Sequence, residues 1–198
     1  MTKRQKVFTA LTLVLCTMFL LVACGKNRDA QQADKQYAQI AMKNGGKIIV
    51  ELMPEHAPKT VAFFKELDED KYYNGLNFHR AVDGFMIQGG SPNGDGIGGC
   101  GRTVKGEFAS NGFDNTLSHT RGVISMARTS VKDSASGQFF IMHDNGTYLD
   151  GEYAAFGKVV EGMEIVDQIA TSPVDGETLI DKPIIKSVKL LKKYKPKS

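Results

Sequence analysis

The chain has 198 residues, of which 41% are hydrophobic and 24% are charged, and its formal net charge is +3. This length predicts one folded domain with a sizeable core, and it is too short for two comfortable domains. Without the first 23 residues, 22 Lys and Arg balance 22 Asp and Glu, so net charge gives no argument for a nucleic-acid partner.

The first 24 residues have the layout of a bacterial secretion signal. Basic side chains at positions 3, 4 and 6 precede an uncharged apolar run over 7–23, which is slightly short for a membrane span. The sequence Leu21-Val22-Ala23-Cys24 resembles a lipobox, whose cysteine receives a diacylglyceryl group and becomes the first mature residue. An ordinary signal peptide with a coincidental cysteine is the alternative. We expect acylated Cys24 to anchor the protein in a lipid bilayer, outside the cytoplasm.

The two ends of the mature chain are polar. Residues 25–45 have hardly any apolar face, and we interpret 24–45 as a flexible tether. Residues 193–198 form a basic tail that we interpret as a solvated end, with contact to anionic lipid as the alternative. The folded domain is then 46–192, and Cys100 is its one cysteine, so no internal disulfide is expected.

The predicted strands are short, numerous and separated by Gly, Pro, Asn and Asp, which is typical of a β-barrel or sandwich. These strands are Lys47–Leu52, Asn77–Val82, Phe85–Gln88, Gly122–Ala127, Phe139–Met142, Ala155–Val160 and Ile184–Leu191. Two segments have helical spacing instead. One begins at Pro58 and places Val61, Phe64 and Leu67 on one face, and the other is Met163–Ala170.

The segment 78–90 places one arginine and one glutamine among apolar residues at strand spacing. Successive side chains of a strand point to opposite faces, so Arg80 is expected to share a face with Phe78. After a predicted turn, Met86 and Gln88 would share a face in the same way. One surface would therefore carry a guanidinium, an amide and a thioether.

Several other kinds of site are not expected. The glycine-rich segment 94–99 fits a dinucleotide-binding pattern, but no apolar-faced helix follows it, so we expect no nucleotide cofactor. The four histidines, His56, His79, His119 and His143, lack the spacing of metal ligands. Three serines, Ser125, Ser134 and Ser136, have no base at an interpretable spacing, which argues against a hydrolase. We expect neither a metal nor any other cofactor.

Five separated blocks resemble the cyclophilins, which are peptidyl-prolyl cis/trans isomerases. The blocks are TVAFF at 60–64, FHRAVDGFMIQGG at 78–90, GVISMA at 122–127, SGQFFI at 136–141 and VVEGM at 159–163. They occur in the expected order, and the resemblance runs from about residue 46 to about residue 191. It implies an all-β fold, namely a closed eight-stranded antiparallel barrel capped by two α-helices.

The resemblance also implies the site residues. Arg80 occupies the catalytic position, and Gln88 would orient it or hold the substrate backbone. The expected substrate-binding residues are Phe85, Met86, Ala127, Arg128, Gln138, Phe139, Tyr148, Leu149 and Tyr153. Phe78 and Phe140 are interpreted as core residues. An ordinary surface ion pair is the alternative for Arg80.

Two aromatic residues depart from the family pattern. Tyr148 stands where cyclophilins that bind cyclosporin tightly have Trp, and Tyr153 stands where they have a groove His. Because Tyr148 lacks the indole N–H donor, we expect retained isomerase activity and weakened cyclosporin affinity. The sequence thus predicts a monomeric, lipid-anchored isomerase that acts on proline-containing exported polypeptides. A proline-binding module and a solute-capturing lipoprotein are the alternatives, and the second fits neither the size nor the strand pattern.

Overall fold

The structure, a computed structural model, describes residues 35–195. The described elements are β1 (Gln36–Met42), β2 (Lys47–Leu52), α1 (Pro58–Glu69), β3 (Phe78–Val82), β4 (Met86–Gly89), β5 (Val123–Met126), β6 (Phe139–Met142), β7 (Ala155–Glu161), α2 (Met163–Ala170), β8 (Val174–Asp175), β9 (Thr178–Leu179) and β10 (Ile185–Leu191), with short 3-10 helices at Ala109–Asn111 and Thr147–Leu149. The predicted signal peptide, Cys24 and residues 25–34 lie outside this part. Within residues 35–195, no helix is both long and apolar enough to span a bilayer.

The strands form one antiparallel sheet in the order β10-β1-β2-β7-β5-β6-β4-β3-β9-β8. The mostly β architecture with two α-helices agrees with the prediction. The sheet has ten described strands rather than eight, because β8 and β9 form a short hairpin that pairs with β3. Segments beside β3 and β10 meet in one isolated bridge, Asn77 to Ile184, rather than in a ladder. The pairing therefore does not show the continuous closure that was predicted.

The predicted tether is wrong over its second half, because residues 36–42 form β1. This strand pairs with both β2 and β10, and it buries Tyr37, Ala38, Ile40 and Met42. Its apolar positions form a strand pattern of only seven residues between polar neighbours. The strand was not predicted because the segment is polar on average. The folded part begins near residue 36 rather than 46.

The predicted basic tail is also partly attached to the sheet. The hydroxyl of Tyr194 donates to a carboxylate oxygen of Glu161 at 2.9 Å, and its ring centroid lies 4.7 Å from that of Tyr37. Burial, followed by the hydrogen bond to Glu161, raises the pKa of Tyr194 to about 12. Residues 196–198 lie beyond the described part.

The main core lies between the sheet and the two helices. Five fully buried aromatic side chains form its centre: Phe64, Tyr73, Phe78, Phe139 and Phe156. The ring of Phe64 packs at centroid distances of 5.2 to 6.2 Å against three of the others. Burial of each such ring stabilises the fold by about 1.5–3 kcal/mol. A second, smaller apolar cluster includes Met86, Phe140 and Met142, and it lies on the other face of β4 and β6.

Helix α1 begins at Pro58 as predicted, and a distant side chain caps its N-terminus. Ala57 provides no side-chain cap. Instead Glu107, which is 1% exposed, accepts hydrogen bonds from the Lys59 N–H at 3.0 Å and from the Thr60 N–H and hydroxyl, each at 2.8 Å. A carboxylate at this place satisfies N–H groups that have no partner within the helix and interacts favourably with the helix dipole.

Candidate active site

Neighbouring strands place the polar side chains of the candidate site in one row. Arg80 of β3 pairs with Gln88 of β4, Gln88 pairs with Phe140 of β6, and Phe140 pairs with Ser125 of β5. Directly paired residues of an antiparallel sheet point to the same face. This face also carries Met86, and it is the face of the smaller apolar cluster. The predicted grouping of guanidinium, amide and thioether is therefore confirmed.

A β-bulge makes one predicted pairing wrong. Phe78 and Arg80 were expected on one face, but the register shifts between them, so that Phe78 lies opposite Gly89 while Arg80 lies opposite Gln88. A bulge inserts an extra residue into one strand and redirects the side chains that follow. Phe78 consequently belongs to the main core, whereas the Arg80 side chain is 34% exposed on the outer face.

Arg80 lines a cleft with a volume of about 220 Å³. The walls of this cleft are formed by Arg80, Phe85, Met86, Gln88, Ala127, Arg128, Phe140, Leu149 and Tyr153. Every one of these residues except Phe140 was predicted to be in the site. Tyr148 does not line the cleft; it lies at the rim, 71% exposed, with its ring 5.8 Å from that of Phe85.

The roles predicted for Phe139 and Phe140 are interchanged. Phe139 is fully buried in the main core, where its ring makes edge contacts with Phe64, Tyr73 and Phe78. Phe140 faces the cleft and packs edge-on against Tyr153 at 5.7 Å. Consecutive strand residues point to opposite faces, so an error of one position in the phase of β6 reverses both assignments.

The guanidinium of Arg80 has contacts on two of its nitrogen atoms. Nη1 donates to Gln88 Oε1 at 3.1 Å and lies 3.8 Å from the sulfur of Met86, and Nε donates to Glu177 Oε2 at 2.6 Å. The ion pair that was considered as the alternative for Arg80 is thus present, and it coexists with the cleft. Glu177 is 97 positions away in the sequence, so no local pattern could have indicated it.

A chain of amides connects Arg80 to the glycine-rich loop. Gln88 Nε2 donates to Gln138 Oε1 at 3.0 Å, and Gln138 Nε2 donates to the carbonyl oxygens of Gly96 and Gly98 at 2.9 and 2.8 Å. Gln138 lines a second cavity of about 320 Å³ that shares Gln88, Ala127 and Arg128 with the first. The glycine-rich loop therefore borders the second cavity.

Arg128 lies on the wall between these two cavities. Its guanidinium carbon lies 4.7 Å from the ring centroid of Tyr153 and 5.0 Å from that of Phe108, and the group donates to the Glu152 carbonyl. Its side chain is 10% exposed. These cation–π and hydrogen-bond contacts hold the Arg128 guanidinium against other residues of the protein. Arg128 therefore contributes to the shape of the groove wall.

A buried polar cluster supports the cleft wall and was not predicted. His119 Nε2 lies 3.1 Å from the Ser125 hydroxyl, and His119 Nδ1 lies 2.8 Å from Asp150 Oδ1. The sequence spacing gave no indication of this base beside Ser125. Ser125 and His119 are 0% and 1% exposed, so no substrate can reach the hydroxyl. The imidazole stacks on Phe140 at 6.0 Å, and burial lowers its pKa although Asp150 acts in the opposite direction.

No group of three His, Cys, Asp or Glu residues within 35–195 is placed to hold a metal ion. Cys100 is half-buried, and its sulfur lies 3.7 Å from the Ser136 hydroxyl. The described side chains of the cleft thus offer hydrogen bonds, charge and apolar walls. These are the means to stabilise a conformation rather than to form a covalent intermediate.

Comparison with known proteins identifies a single family. The family model described as "Cyclophilin type peptidyl-prolyl cis-trans isomerase/CLD" matches residues 37–191. Peptidyl-prolyl cis-trans isomerase B of Bacillus subtilis (strain 168) is 41% identical over 140 residues, which are 71% of this chain and 94% of that protein. A peptidyl-prolyl cis-trans isomerase of Helicobacter pylori is 41% identical over 144 residues, which are 72% of this chain and 85% of that protein.

Solved structures agree with the sequence comparison. A crystal structure of a Cryptosporidium parvum cyclophilin type peptidyl-prolyl cis-trans isomerase matches with a TM-score of 0.73 and 32% identity, over 81% of this chain and 99% of that chain. A crystal structure of the same protein in the presence of the dipeptide Ala-Pro matches with a TM-score of 0.71 and 34% identity, over 80% of this chain and 100% of that chain. The chain therefore belongs to the cyclophilin-type peptidyl-prolyl cis-trans isomerases.

Proposed function

We propose that this isomerase accelerates X-Pro isomerisation in exported polypeptides outside the cytoplasmic membrane, and that Arg80 is its catalytic residue. The observation that supports the role of Arg80 is its position on the wall of a cleft that also carries Phe85, Met86 and Leu149, with its guanidinium held by Gln88 and Glu177. The membrane location is supported by the sequence around Cys24.

Rotation about an X-Pro bond has a barrier of about 18–20 kcal/mol, because the amide loses its resonance when it twists. In the twisted state the proline nitrogen regains a lone pair and can accept a hydrogen bond. A donor that is already in place stabilises this state more than either planar isomer, and the barrier falls. The reaction requires no bond to be made or broken.

Arg80 can supply that donor. Its Nε and Nη1 have protein partners, whereas Nη2 has no hydrogen-bond partner among the described residues. An arginine guanidinium is a cation, and its rigid planar fork keeps the direction of each N–H fixed. A hydrogen bond from an ionised donor is about twice as strong as one between neutral groups.

The apolar walls provide the second requirement, a site that grips the proline ring. Phe85, Met86, Phe140 and Leu149 surround the cleft with two aromatic rings, a thioether and an aliphatic chain. These groups suit a pyrrolidine ring, and they exclude water from the hydrogen bond with Arg80. We propose that the flanking substrate residues extend over Ala127 into the second cavity, where Gln138 is one of several polar residues.

A proline-limited refolding assay tests the role of Arg80. Loss of one preorganised donor typically lowers a rate by about 10²–10³-fold, so Arg80→Ala should lose most of its acceleration while remaining folded. Arg102→Ala is the matched control, because Arg102 also forms ion pairs at the surface, with Glu66 and Asp70, but lies outside the cleft. If Arg80→Ala were as active as Arg102→Ala, the proposed role of Arg80 would be rejected.

The membrane anchor is tested by fractionating cells. Cys24→Ala should release the protein from the membrane, because alanine has no sulfur to which the diacylglyceryl group can be attached. Cys16→Ala is the matched control, since Cys16 lies inside the apolar run and should leave the anchor intact. Membrane retention of the Cys24→Ala protein at the level of the control would contradict the proposal.

We also propose that the enzyme is a monomer with weakened cyclosporin affinity. Tyr148 is available to a ligand at the rim, but its side chain cannot donate the hydrogen bond of an indole N–H. Tyr148→Trp should therefore tighten cyclosporin binding in a titration calorimeter, and an unchanged affinity would reject this explanation.

For the barrel, we propose that the Asn77 to Ile184 bridge completes a ring of eight strands.

A further inference from the structure

The contact between Arg80 and Glu177 is the shortest polar contact of the candidate catalytic side chain. Glu177 lies in the turn between β8 and β9, directly after Gly176, whose φ of +62° favours glycine. The neighbouring residue Thr178 pairs with Arg80, and the N–H of Ala81 donates to the Glu177 carbonyl at 3.0 Å. The hairpin is thus attached to β3 at the position of Arg80.

The two contacts of the guanidinium act on different atoms. Gln88 holds Nη1 and Glu177 holds Nε, so rotation about the last side-chain bonds is restricted in a way that either contact alone would not achieve. A free Arg side chain has many rotamers, and each must be lost before its N–H groups can serve a substrate. Groups that are oriented before the substrate binds avoid this loss during the reaction.

We propose that Glu177 is a positioning residue for Arg80, which orients the guanidinium so that its remaining N–H groups face the cleft before the substrate arrives. This inference rests on the proposed catalytic role of Arg80. Glu177 does not line the cleft, so it acts through Arg80 rather than on the substrate.

The expected effect is modest, because both partners are accessible to solvent. The Arg80 and Glu177 side chains are 34% and 57% exposed, and exposed ion pairs are weakened by screening. Removing such a pair changes the population of the aligned side chain by about two- to fivefold. The hairpin should stay in place without the carboxylate, because its contacts to β3 through Thr178 and Ala81 are made by the main chain.

The test compares variants of the full-length chain in which one carboxylate is removed. Glu177→Ala removes the contact, and Glu177→Gln keeps a hydrogen-bond acceptor without the charge. Asp175→Asn is the matched control, because Asp175 is an exposed acid of the same hairpin outside the cleft. We expect kcat to fall about three- to fivefold in Glu177→Ala with KM unchanged, about twofold in Glu177→Gln, and not at all in Asp175→Asn.

Two further measurements identify the mechanism. The ¹⁵N-bonded Nε proton of Arg80 should exchange slowly with water in the unmodified chain and fast in Glu177→Ala, because its acceptor is lost. Added salt should lower the activity of the unmodified chain toward that of Glu177→Gln, because salt screens an exposed pair.

The outcomes separate this inference from the proposed function. A kcat that is unchanged or raised in Glu177→Ala would overturn the positioning role. The carboxylate would then have no effect on catalysis, or it would reduce catalysis by partly neutralising the positive charge of Arg80. Slow exchange of the Arg80 Nε proton in Glu177→Ala would also overturn it. Full activity of Arg80→Ala would instead overturn the proposed catalytic role of Arg80, whatever the exchange measurements show.

Discussion

His79 is a buried titratable residue directly beside Arg80, and it should make the stability of this enzyme depend on pH. Its side chain is 4% exposed, and neither ring nitrogen has a hydrogen-bond partner among the described residues. Burial lowers the pKa of His79 from 6.5 to about 4, the positive charges of Lys182 and Arg80 act in the same direction, and Asp95 opposes them.

The size and sign of the effect follow from linkage between protonation and folding. An unfolded histidine has a pKa of about 6.5, and each pKa unit corresponds to about 1.36 kcal/mol, so a folded value near 4 is equivalent to about 3 kcal/mol. Between the two values the unfolded state binds more protons than the folded state. The stabilisation by neutral His79 is therefore complete above pH 6.5 and is lost as the pH falls toward 4.

Urea unfolding of the unmodified chain and of His79→Gln, at several pH values between 4 and 7.5, measures this contribution. The free energy of unfolding of the unmodified chain should fall by about 3 kcal/mol more than that of the variant over this range. His119 and the carboxylates are present in both proteins, so their contributions cancel in the difference. If the unfolding free energies of the two proteins changed in parallel with pH, the reasoning would be refuted, because His79 would then have the same pKa in the folded and unfolded states.

Two further substitutions test the cap of α1 and the two faces of β6. Glu107→Gln should lower the free energy of unfolding by about 2–3 kcal/mol, because an amide cannot accept all three hydrogen bonds. The control is Glu164→Gln, at an exposed acid in the first turn of α2, and it should change this free energy by no more than about 0.5 kcal/mol. Equal losses of stability in urea unfolding would contradict the role of Glu107 as a cap. Phe139→Leu should cost about 1–3 kcal/mol of stability with activity nearly unchanged, and Phe140→Leu should lower kcat/KM in the refolding assay. The opposite pattern would restore the original assignment of the two rings.

Local patterns predicted the elements more successfully than the orientation of single residues. The start of α1 at Pro58 and the bounds of α2 were predicted correctly, because helical spacing and a first-turn proline are local features. The β1 strand was missed because its apolar positions fall within a polar segment. Phe139 and Phe140 were interchanged because strand phase depends on register, and the bulge between Phe78 and Arg80 depends on pairing with β4.

The sequence by itself determined the family and the mostly β architecture with two helices, because both are expressed in contiguous blocks. Through the family resemblance it also indicated eight of the nine residues that line the cleft, five of which lie within those blocks. The tertiary structure decided which polar groups meet. Arg80 contacts Glu177 across 97 positions, and His119 contacts Asp150 across 31. Such pairs arise where connecting segments are brought together by the packing of the whole sheet, rather than from any local pattern.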